Sequence, residues 1–285
     1  MKKVFLVSVI IFILSVIGNK ALAISQTELN GLNYLSAIQN PDGSWNGNIT
    51  TDFYSTFTVL DTLRIFNKVD SRYQIGFQWT QTYPPENVDY LTKRIILLSQ
   101  NNTSFTNELN ILLSLHDIDS AGWGLKETFT GEVVDTFLAL QALKAVNYFD
   151  QNVISNAISY LLSTQNPGGG FGFYSGDVSN VYMTALVSMT LQQFPQTTSI
   201  ATAINKATSY LIAHQNVDGG FGFSPSTVYE TAFAYIALVG ETTDNTVLGN
   251  AVNYLLSTQS PDGSWNQDPY STALAKIFLD KRWGG

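Results

Sequence analysis

Two types of hydrophobic pattern alternate along this chain of 285 residues. In the first type, polar and apolar residues alternate at helical spacing, as in Ala251–Gln259, which predicts an amphipathic helix with one exposed face. In the second type, apolar residues occupy nearly every side, as in Val133–Leu140, which is typical of a helix buried all round. The sequence therefore predicts an all-α protein in which half-exposed and buried helices alternate.

The two patterns predict helices that pair into hairpins. The half-exposed helices are predicted at residues 27–39, 70–82, 104–116, 151–165, 201–215 and 247–259. The buried helices are predicted at residues 53–67, 86–100, 133–147, 181–194, 228–240 and 269–280. Segment 67–82 fits least well, because Tyr73, Phe77 and Trp79 replace the usual pattern. Six helical hairpins are therefore expected.

The hairpins repeat a common set of residues, which is most complete in Ala251–Ala273. A tyrosine precedes a glutamine by five positions, an aromatic residue follows the glutamine by six, and a Tyr-x-Thr triplet begins the buried helix. The glutamine position is occupied by Gln39, Gln81, His116, Gln165, Gln215 and Gln259. Between glutamine and aromatic residue lie glycine-containing turns that end a helix. We expect the glutamines and aromatic residues to brace neighbouring hairpins.

Repeated hairpins bury their apolar faces only against one another. Because the terminal repeats show no evident polar caps, we expect the array to close on itself. The prediction is a single α/α toroid domain over residues 24–285, with buried helices as an inner ring and half-exposed helices as an outer ring. An open superhelix of hairpins is the alternative.

The N-terminal segment has the features of a secretory signal peptide. Lys2 and Lys3 precede an uncharged apolar run at residues 4–18, and Ala21-Leu22-Ala23 forms a cleavage site of small residues. We expect residues 1–23 to be removed, with retention as a membrane anchor as the alternative. The chain contains no cysteine, which fits a secreted or periplasmic protein that is held together by its core.

Composition excludes some partners and points to others. A net charge of −8 makes nucleic acid and anionic lipid surfaces poor partners. The 17 Phe, 14 Tyr and 5 Trp must fill seams between hairpins or line a central hole. The partners that we expect are an apolar or isoprenoid-like ligand, or an envelope protein or glycan.

The segments Gln39–Trp45 (QNPDGSW) and Gln259–Trp265 (QSPDGSW) resemble the QW motif of the squalene and terpene cyclases. The chain from residue 24 onward resembles the prenyltransferase/squalene-cyclase repeat family, and this resemblance implies an α/α toroid with its active site in a central cavity. In the cyclases an Asp-x-Asp-Asp-Thr-Ala segment supplies the acid that protonates the isoprenoid. The matching segment is Glu132–Phe137, in which Val134 replaces the proton donor, and this argues against acid-initiated cyclisation.

The other branch of the family, the protein prenyltransferases, binds zinc through Asp, Cys and His. The chain has no Cys, and neither His lies in the corresponding position, so no zinc site is expected. The position that the two branches suggest as facing the cavity holds Asp89, Asp135 and Glu230. We interpret these three as candidate catalytic residues that act as general acid and base, or as ligands of a hard cation such as Ca²⁺.

The alternative is that these acids only cap helices. The residues three positions earlier are Glu86, Glu132 and Thr227, with Asp52, Asn180 and Asp268 in the other copies. Most of them, the Thr, Asp and Asn residues, are of types that favour helix N-caps. Thr227 and Glu230 also have the spacing of a capping box. The recurring threonines should bond a carbonyl one turn back or pack between helices; they are Thr56, Thr136, Thr184, Thr231 and Thr272.

Other residues of interest indicate structure rather than chemistry. His116 and His214 have no second His, Cys or carboxylate at metal-binding spacing. Asp117 and Asp119 lie in a turn, where Asp is common. The sequence contains no phosphate-binding glycine loop and no zinc-protease motif, so neither a cofactor nor a metal is predicted.

Three functional hypotheses follow. The first is an exported relative of the cyclases that binds an apolar, isoprenoid-like molecule in a central cavity, with or without catalysis. The second is a non-catalytic scaffold that presents its rim to an envelope protein or glycan. The third is a carbohydrate-active enzyme that uses paired acids and exposed aromatic platforms.

Overall fold

The computed structural model describes residues 26–280. The signal peptide predicted at residues 1–23 lies outside them. None of the helices within this part of the chain combines the length and the hydropathy that a membrane-spanning helix requires.

The described residues form helices at all the predicted places. These are α1 Gln26–Ala37, α2 Asp52–Ile65, α3 Ser71–Thr82, α4 Val88–Gln100, α5 Thr106–Ser114, α6 Val133–Ala145, α7 Gln151–Ser163, α8 Val181–Leu191, α9 Thr198–Ala213, α10 Val228–Leu238, α11 Asn245–Ser257 and α12 Pro269–Leu279. The poorly patterned segment before residue 83 is helical as well, as α3. A two-stranded antiparallel hairpin, β1 His116–Asp117 and β2 Gly122–Trp123, was not predicted.

The helices have the burial that their patterns predict. In α7 the buried residues are Ile154, Ala157, Ile158 and Leu161, which follow the spacing of a single helical face. In α8, by contrast, ten of the eleven residues are buried. The alternation of half-exposed and fully buried helices is therefore confirmed.

The chain divides into two compact units. The first unit comprises Pro84–His214 and contains α4 to α9 with both strands. In it the buried helices α4 and α8 both pack against α6, while α5 packs on α4, α7 on α6 and α9 on α8. This arrangement makes α6 the central helix of the unit.

The second unit comprises residues 26–83 and 215–280, and so contains both the first and the last hairpin. Here α12 packs against α1, α2 and α10. The Asn48 backbone N–H donates to Asp268 Oδ1 at 3.0 Å, which adds a polar contact between the first and last hairpins. An open superhelix would keep these two hairpins apart, so that alternative is contradicted.

The glutamines of the clear repeats brace neighbouring hairpins, as predicted. The Gln165 amide donates to the Gly169 carbonyl of its own turn at 2.8 Å and to the Ala203 carbonyl of the next half-exposed helix at 2.9 Å. The same pair of bonds is made by Gln39, Gln215 and Gln259. In the degenerate copy the Gln81 amide bonds only within its own helix, to Phe77 and Thr80.

The recurring threonines have a role that the sequence did not reveal. The Thr184 hydroxyl accepts the backbone N–H of Phe171 at 2.9 Å and donates to the Asn180 carbonyl at 2.7 Å. The hydroxyl oxygens of Thr56, Thr136, Thr231 and Thr272 likewise accept the N–H of the aromatic residue of their own turn. Each threonine therefore fixes the buried aromatic residue of the turn to the start of the following helix. The predicted bond to a carbonyl one turn back is made by Thr184 and by Thr231, whose hydroxyl donates to the Thr227 carbonyl at 2.6 Å.

Candidate functional site

The start of α6 differs from the starts of the other buried helices. In five of them the side chain of the N-cap residue accepts a backbone N–H of the first turn; the caps are Thr51, Asn87, Asn180, Thr227 and Asp268. At α6 the N-cap residue is Glu132, whose side chain makes no such bond. The backbone N–H of Asp135, three residues into the helix, therefore has no side-chain cap.

These caps correct two predicted ones by one residue. Asn87 caps α4 in place of Glu86, and Thr51 caps α2 in place of Asp52. The capping interpretation is confirmed for Asn180, Thr227 and Asp268, whereas Glu132 stands at the cap position without acting as one.

Asp135 is buried at this uncapped start. The residue is 2% exposed. Burial raises the pKa of Asp135 to about 7, and the negative charges of Glu132 and Asp89 add to the rise. The nearby positive charge of Lys93 opposes it. Asp135 can therefore donate or accept a proton near neutral pH.

The neighbouring helix α4 contributes an ion pair to the site. Lys93 Nζ donates to Asp89 Oδ1 at 2.5 Å, one helical turn away. The Lys93 side chain is 9% exposed and that of Asp89 is 19% exposed, so both groups are largely removed from water. Since α4 packs against α6, the pair lies close enough to affect the protonation of Asp135.

Glu132 completes the acidic group. Burial raises the pKa of its carboxyl group. Glu132 and Val134 are both only partly buried, so the start of α6 is open to solvent between them. The site thus combines a buried carboxyl group, two partly exposed carboxyl groups and one lysine.

A loop at residues 125–131 leads into α6 and also contacts the start of α4. At one end, the Leu125 carbonyl accepts the backbone N–H of Val88 at 3.1 Å. At the other end, the Gly131 N–H donates to Ser120 Oγ at 3.0 Å, and the Gly131 carbonyl accepts the Tyr160 hydroxyl at 2.6 Å. Between these anchors the loop exposes Phe129, which is 48% exposed. An apolar ring is thereby held on the segment that leads into Asp135.

Glu230 lies in the second unit and serves as part of a cap. Glu230 Oε2 accepts the Thr227 hydroxyl at 2.7 Å, and Thr227 Oγ1 accepts the Glu230 backbone N–H at 3.2 Å, which confirms the predicted capping box. A Cβ atom at Gly222 would lie 2.5 Å from Glu230 Oε2, so the carboxyl group packs directly against that glycine. The structure thus brings Asp89 and Asp135 together within the first unit, and the catalytic role suggested for Glu230 stays a prediction.

Sequence comparison places these features in a known family. The sequence model described as the squalene-hopene cyclase C-terminal domain matches residues 125–281, which is more than half of the chain. The chain belongs to this family. The matched residues include Glu132 and Asp135, but not Asp89 or Lys93. A search of curated proteins found no match to the sequence.

Solved structures of terpene cyclases show the same fold. The type II terpene cyclase MstE from Scytonema, in complex with its substrate geranylgeranyl dihydroxybenzoate, is 14% identical with a TM-score of 0.71, over 90% of this chain and 96% of that chain. The ent-copalyl diphosphate synthase from Streptomyces platensis is 18% identical with a TM-score of 0.63, over 82% of this chain and 50% of that chain. These likenesses confirm the predicted fold class, the all-α toroid type of the terpene cyclases.

The fold is also shared outside the cyclases. An inactive variant of an α-1,6-mannanase from Salegentibacter, in complex with α-1,6-mannotriose, is 12% identical with a TM-score of 0.64, over 89% of this chain and 97% of that chain. At such identities the likeness shows the fold alone, so the chemistry must be argued from the residues of this chain.

The other candidate residues are structural. The His116 ring packs against Trp123 with ring centroids 4.5 Å apart, and the His214 ring stacks on Tyr210 at 3.9 Å. Among residues 26–280 there is no group of three or more His, Cys, Asp or Glu side chains arranged to hold a metal ion. The Ca²⁺ site considered for the three acids is therefore not found in this part of the chain.

Lys93 is the residue of the candidate site that the sequence analysis missed. It lies in a buried helix and is 7% exposed. The available signal was its spacing of four residues from Asp89, which pairs opposite charges on one helical face.

Proposed function

We propose that the protein binds an apolar, isoprenoid-like molecule whose polar end lies at the start of α6, where Asp135 and Asp89 act as acid and base. The observation that carries this proposal is the Asp135 residue, 2% exposed, whose pKa is raised to about 7 by this burial and by the nearby charges of Glu132 and Asp89. A ligand at the start of α6 would meet this carboxyl group and the backbone N–H of Asp135, which has no side-chain cap.

The relatives and the neighbouring apolar residues support a ligand of this type. MstE is named as a terpene cyclase and was solved with a geranylgeranyl compound, and the Streptomyces relative is named as a copalyl diphosphate synthase. In this chain Phe129, 48% exposed, and Leu125, 37% exposed, lie on the loop that leads into α6. An apolar chain that packs on these side chains would remove their surface from water.

The chemistry available at the site is general acid–base catalysis. Because the pKa of Asp135 is about 7, this carboxyl group exists in both protonation states at neutral pH. Asp89 forms an ion pair with Lys93 and offers a second carboxyl group as acceptor. A carboxyl group with a pKa near 7 is too weak an acid to protonate an unactivated alkene readily, so the reaction proposed here is proton transfer at an oxygen or at a carbon beside a carbonyl group.

Binding to the purified mature chain tests the proposal. Native mass spectrometry of protein from its own host should show a co-purified molecule of lipid mass. Titration with geranylgeraniol, followed by tryptophan fluorescence, should show saturable binding that Asp135→Ala weakens at least tenfold. The matched control is Asp150→Ala, which removes a carboxylate that caps α7 at an exposed position. Equal binding by both variants would contradict a role for Asp135.

A carbohydrate ligand is the second candidate. Glycosidases use a pair of neighbouring carboxyl groups, such as Asp135 and Asp89, and the Salegentibacter neighbour was solved with mannotriose. Calorimetric titration with α-1,6-mannotriose distinguishes the two candidates. Saturable heat with mannotriose and no response to geranylgeraniol would favour the carbohydrate function. If neither ligand binds, the scaffold hypothesis remains.

Export is proposed on the N-terminal sequence alone. The charged start, the apolar run and Ala21-Leu22-Ala23 support cleavage after Ala23 and a secreted or periplasmic location. N-terminal sequencing of the protein from its own host should begin at Ile24. A protein that begins at Met1 in the cytoplasmic fraction would contradict export.

A further inference from the structure

We infer that the groove between the β1–β2 hairpin and the 125–131 loop binds the arginine side chain of a partner peptide. This groove is separate from the start of α6, and the inference does not depend on the proposed function. It follows from the volume of the groove, the charges of its lining and a buried histidine nitrogen that has no partner.

The groove has the size of a ligand site. Its volume is about 590 Å³, within the range of roughly 300–1,000 Å³ that is typical of ligand pockets. Residues 114–119, at the end of α5 and in β1, form one wall, and residues 127–130 of the loop form the other. Thr128 holds a left-handed conformation in the loop wall, at φ 73°, which a β-branched residue rarely adopts. Backbone strain of this kind is found most often at functional sites.

The ionised side chains that line the groove are all acidic. Asp117, Asp119 and Glu127 line it, and none of the lining residues is Lys or Arg. Hydrogen bonds, above all from the Ser120 hydroxyl, lower the pKa of Asp117, so this carboxylate stays charged. Lys126 lies on the same loop but does not line the groove. Such a lining attracts a cation and repels an anion.

Two of the three carboxylates are available to a partner. Asp117 is already engaged, because its oxygens accept the backbone N–H groups of Asp119 and Gly131 as well as the Ser120 hydroxyl. The carboxyl groups of Asp119 and Glu127 are exposed and form no hydrogen bond or ion pair with other described residues. An exposed ion pair contributes only about 0–1 kcal/mol, so other groups of the lining must select the cation.

A histidine nitrogen and an aromatic ring favour arginine. His116 lines the groove, and its Nε2 atom is buried without a hydrogen-bond partner in the described chain, which costs about 1–3 kcal/mol. Phe129, 48% exposed, adds a ring on which a planar guanidinium group stacks. A guanidinium group has five N–H donors, so it is able to bond a carboxylate and a nitrogen and still pack on a ring. The compact ammonium group of lysine lacks this plane.

An exposed apolar side chain favours a peptide over a small free cation. Ile118 lines the same groove and is 86% exposed. An apolar residue next to the arginine in a peptide would cover Ile118, and burial of apolar surface stabilises a complex by about 25 cal/mol per Å². A small cation alone would leave this side chain in water.

Two peptides that differ in one charge test the inference. Acetyl-Gly-Arg-Leu-Gly-amide and the same peptide with citrulline, a neutral residue of nearly the same shape as arginine, are titrated into the purified protein at pH 7.5 in a calorimeter. The arginine peptide should bind at least tenfold more tightly than the citrulline peptide, and added salt should weaken its binding because salt screens the attraction. Equal binding of the two peptides, or no binding of either, would overturn the inference.

A substitution in the groove locates the binding. Asp119→Asn should weaken binding of the arginine peptide about threefold or more. Asp177→Asn removes an exposed carboxylate outside the groove and is the matched control, with no effect expected. If the two substitutions weaken binding equally, general charge attracts the peptide and the inference is wrong. Binding of geranylgeraniol should be the same in Asp119→Asn as in the wild type, so this inference and the proposed function fail or stand separately.

Two further ligands distinguish other occupants of the groove. Argininamide alone should bind more weakly than the peptide; equal affinity would mean that the groove holds a small cation and that no peptide is recognised. Binding of α-1,6-mannotriose that is lost in Asp119→Asn and retained in Asp177→Asn would make the groove a glycan site. Either result would overturn the inference.

Discussion

The side-chain amide of Gln259 donates to the backbone carbonyl of Thr27 at 2.9 Å and so joins the last turn to the first helix. The same amide donates to the Gly263 carbonyl at 2.9 Å, so one side chain supports both its own turn and the neighbouring hairpin. Loss of both bonds leaves two carbonyl groups without this donor.

Gln259→Ala should therefore lower the free energy of unfolding by about 1–3 kcal/mol. Urea denaturation followed by circular dichroism measures this change. Gln74→Ala, on the exposed face of α3, is the control and should change stability by less than about 0.5 kcal/mol. Equal effects of the two substitutions would mean that the bracing bond contributes nothing.

Thr184→Val tests the contact between the buried aromatic residue and the following helix. Valine has nearly the same shape as threonine, but it cannot accept the Phe171 N–H or donate to the Asn180 carbonyl. The free energy of unfolding should fall by about 1–3 kcal/mol, because a buried N–H loses its partner. The control is Thr202→Val, which removes a similar bond to a carbonyl four residues back on the exposed side of α9. A loss at Thr184 no larger than that at Thr202 would contradict the structural role.

Asp135 should make the protein less stable as the pH rises. The pKa of Asp135 is about 7 in the folded protein, whereas an unperturbed aspartate, as in the unfolded chain, has a pKa of 3.8. Between these two pH values the folded chain therefore binds more protons than the unfolded chain. Stability must then fall as pH rises through this range. Asp135→Asn removes the titrating group. As the pH rises from about 4 to about 8, the free energy of unfolding of the variant should therefore increase by roughly 1–4 kcal/mol relative to that of the wild type.

Urea denaturation at a series of pH values measures this slope. Asp150→Asn, at the exposed cap of α7, should leave the slope of the wild type unchanged. If the free energy of unfolding of the wild type does not fall relative to that of Asp135→Asn between pH 4 and pH 8, Asp135 does not hold a proton in the folded state.

Lys93→Met should shift the same titration upward. The positive charge of Lys93 lowers the pKa of Asp135, so its removal should raise the midpoint of the pH-dependent step. The variant should also lose about 3 kcal/mol of stability, because the largely buried Asp89 loses its ion pair with Lys93. The double variant Asp89→Asn/Lys93→Met should recover much of this loss.

Lys206→Met, at an exposed position of α9, is the matched control for charge. It should leave both the midpoint and the stability unchanged. A midpoint that moves equally in the two lysine variants would show that Lys93 acts only through net charge.

The sequence predicted the helices well because burial follows their hydrophobic pattern. Even α3, with its atypical aromatic residues, was placed within one residue at its start and correctly at its end. The roles of the threonines were harder to predict, because Thr184 and Phe171 are 13 positions apart and no local pattern shows which N–H a hydroxyl accepts.

The candidate site was predicted only in part. Asp135 and Asp89 were identified from their position in the repeat, but the sequence could not distinguish a capping acid from an uncapped one. Glu230 turned out to be held by Thr227, whereas Asp135 has no such partner. This difference depends on side-chain orientation, and the ion pair of Lys93 depends on how deeply α4 is buried.

The bond between Gln259 and Thr27 spans 232 positions of the chain. During synthesis the N-terminal hairpin therefore emerges long before the segment on which it packs. Contacts of such large sequence separation slow folding, because the long intervening chain must be closed to form them. An early product of translation would keep the apolar surface of α1 and α2 uncovered, and a chain released before residue 259 could not complete its native packing.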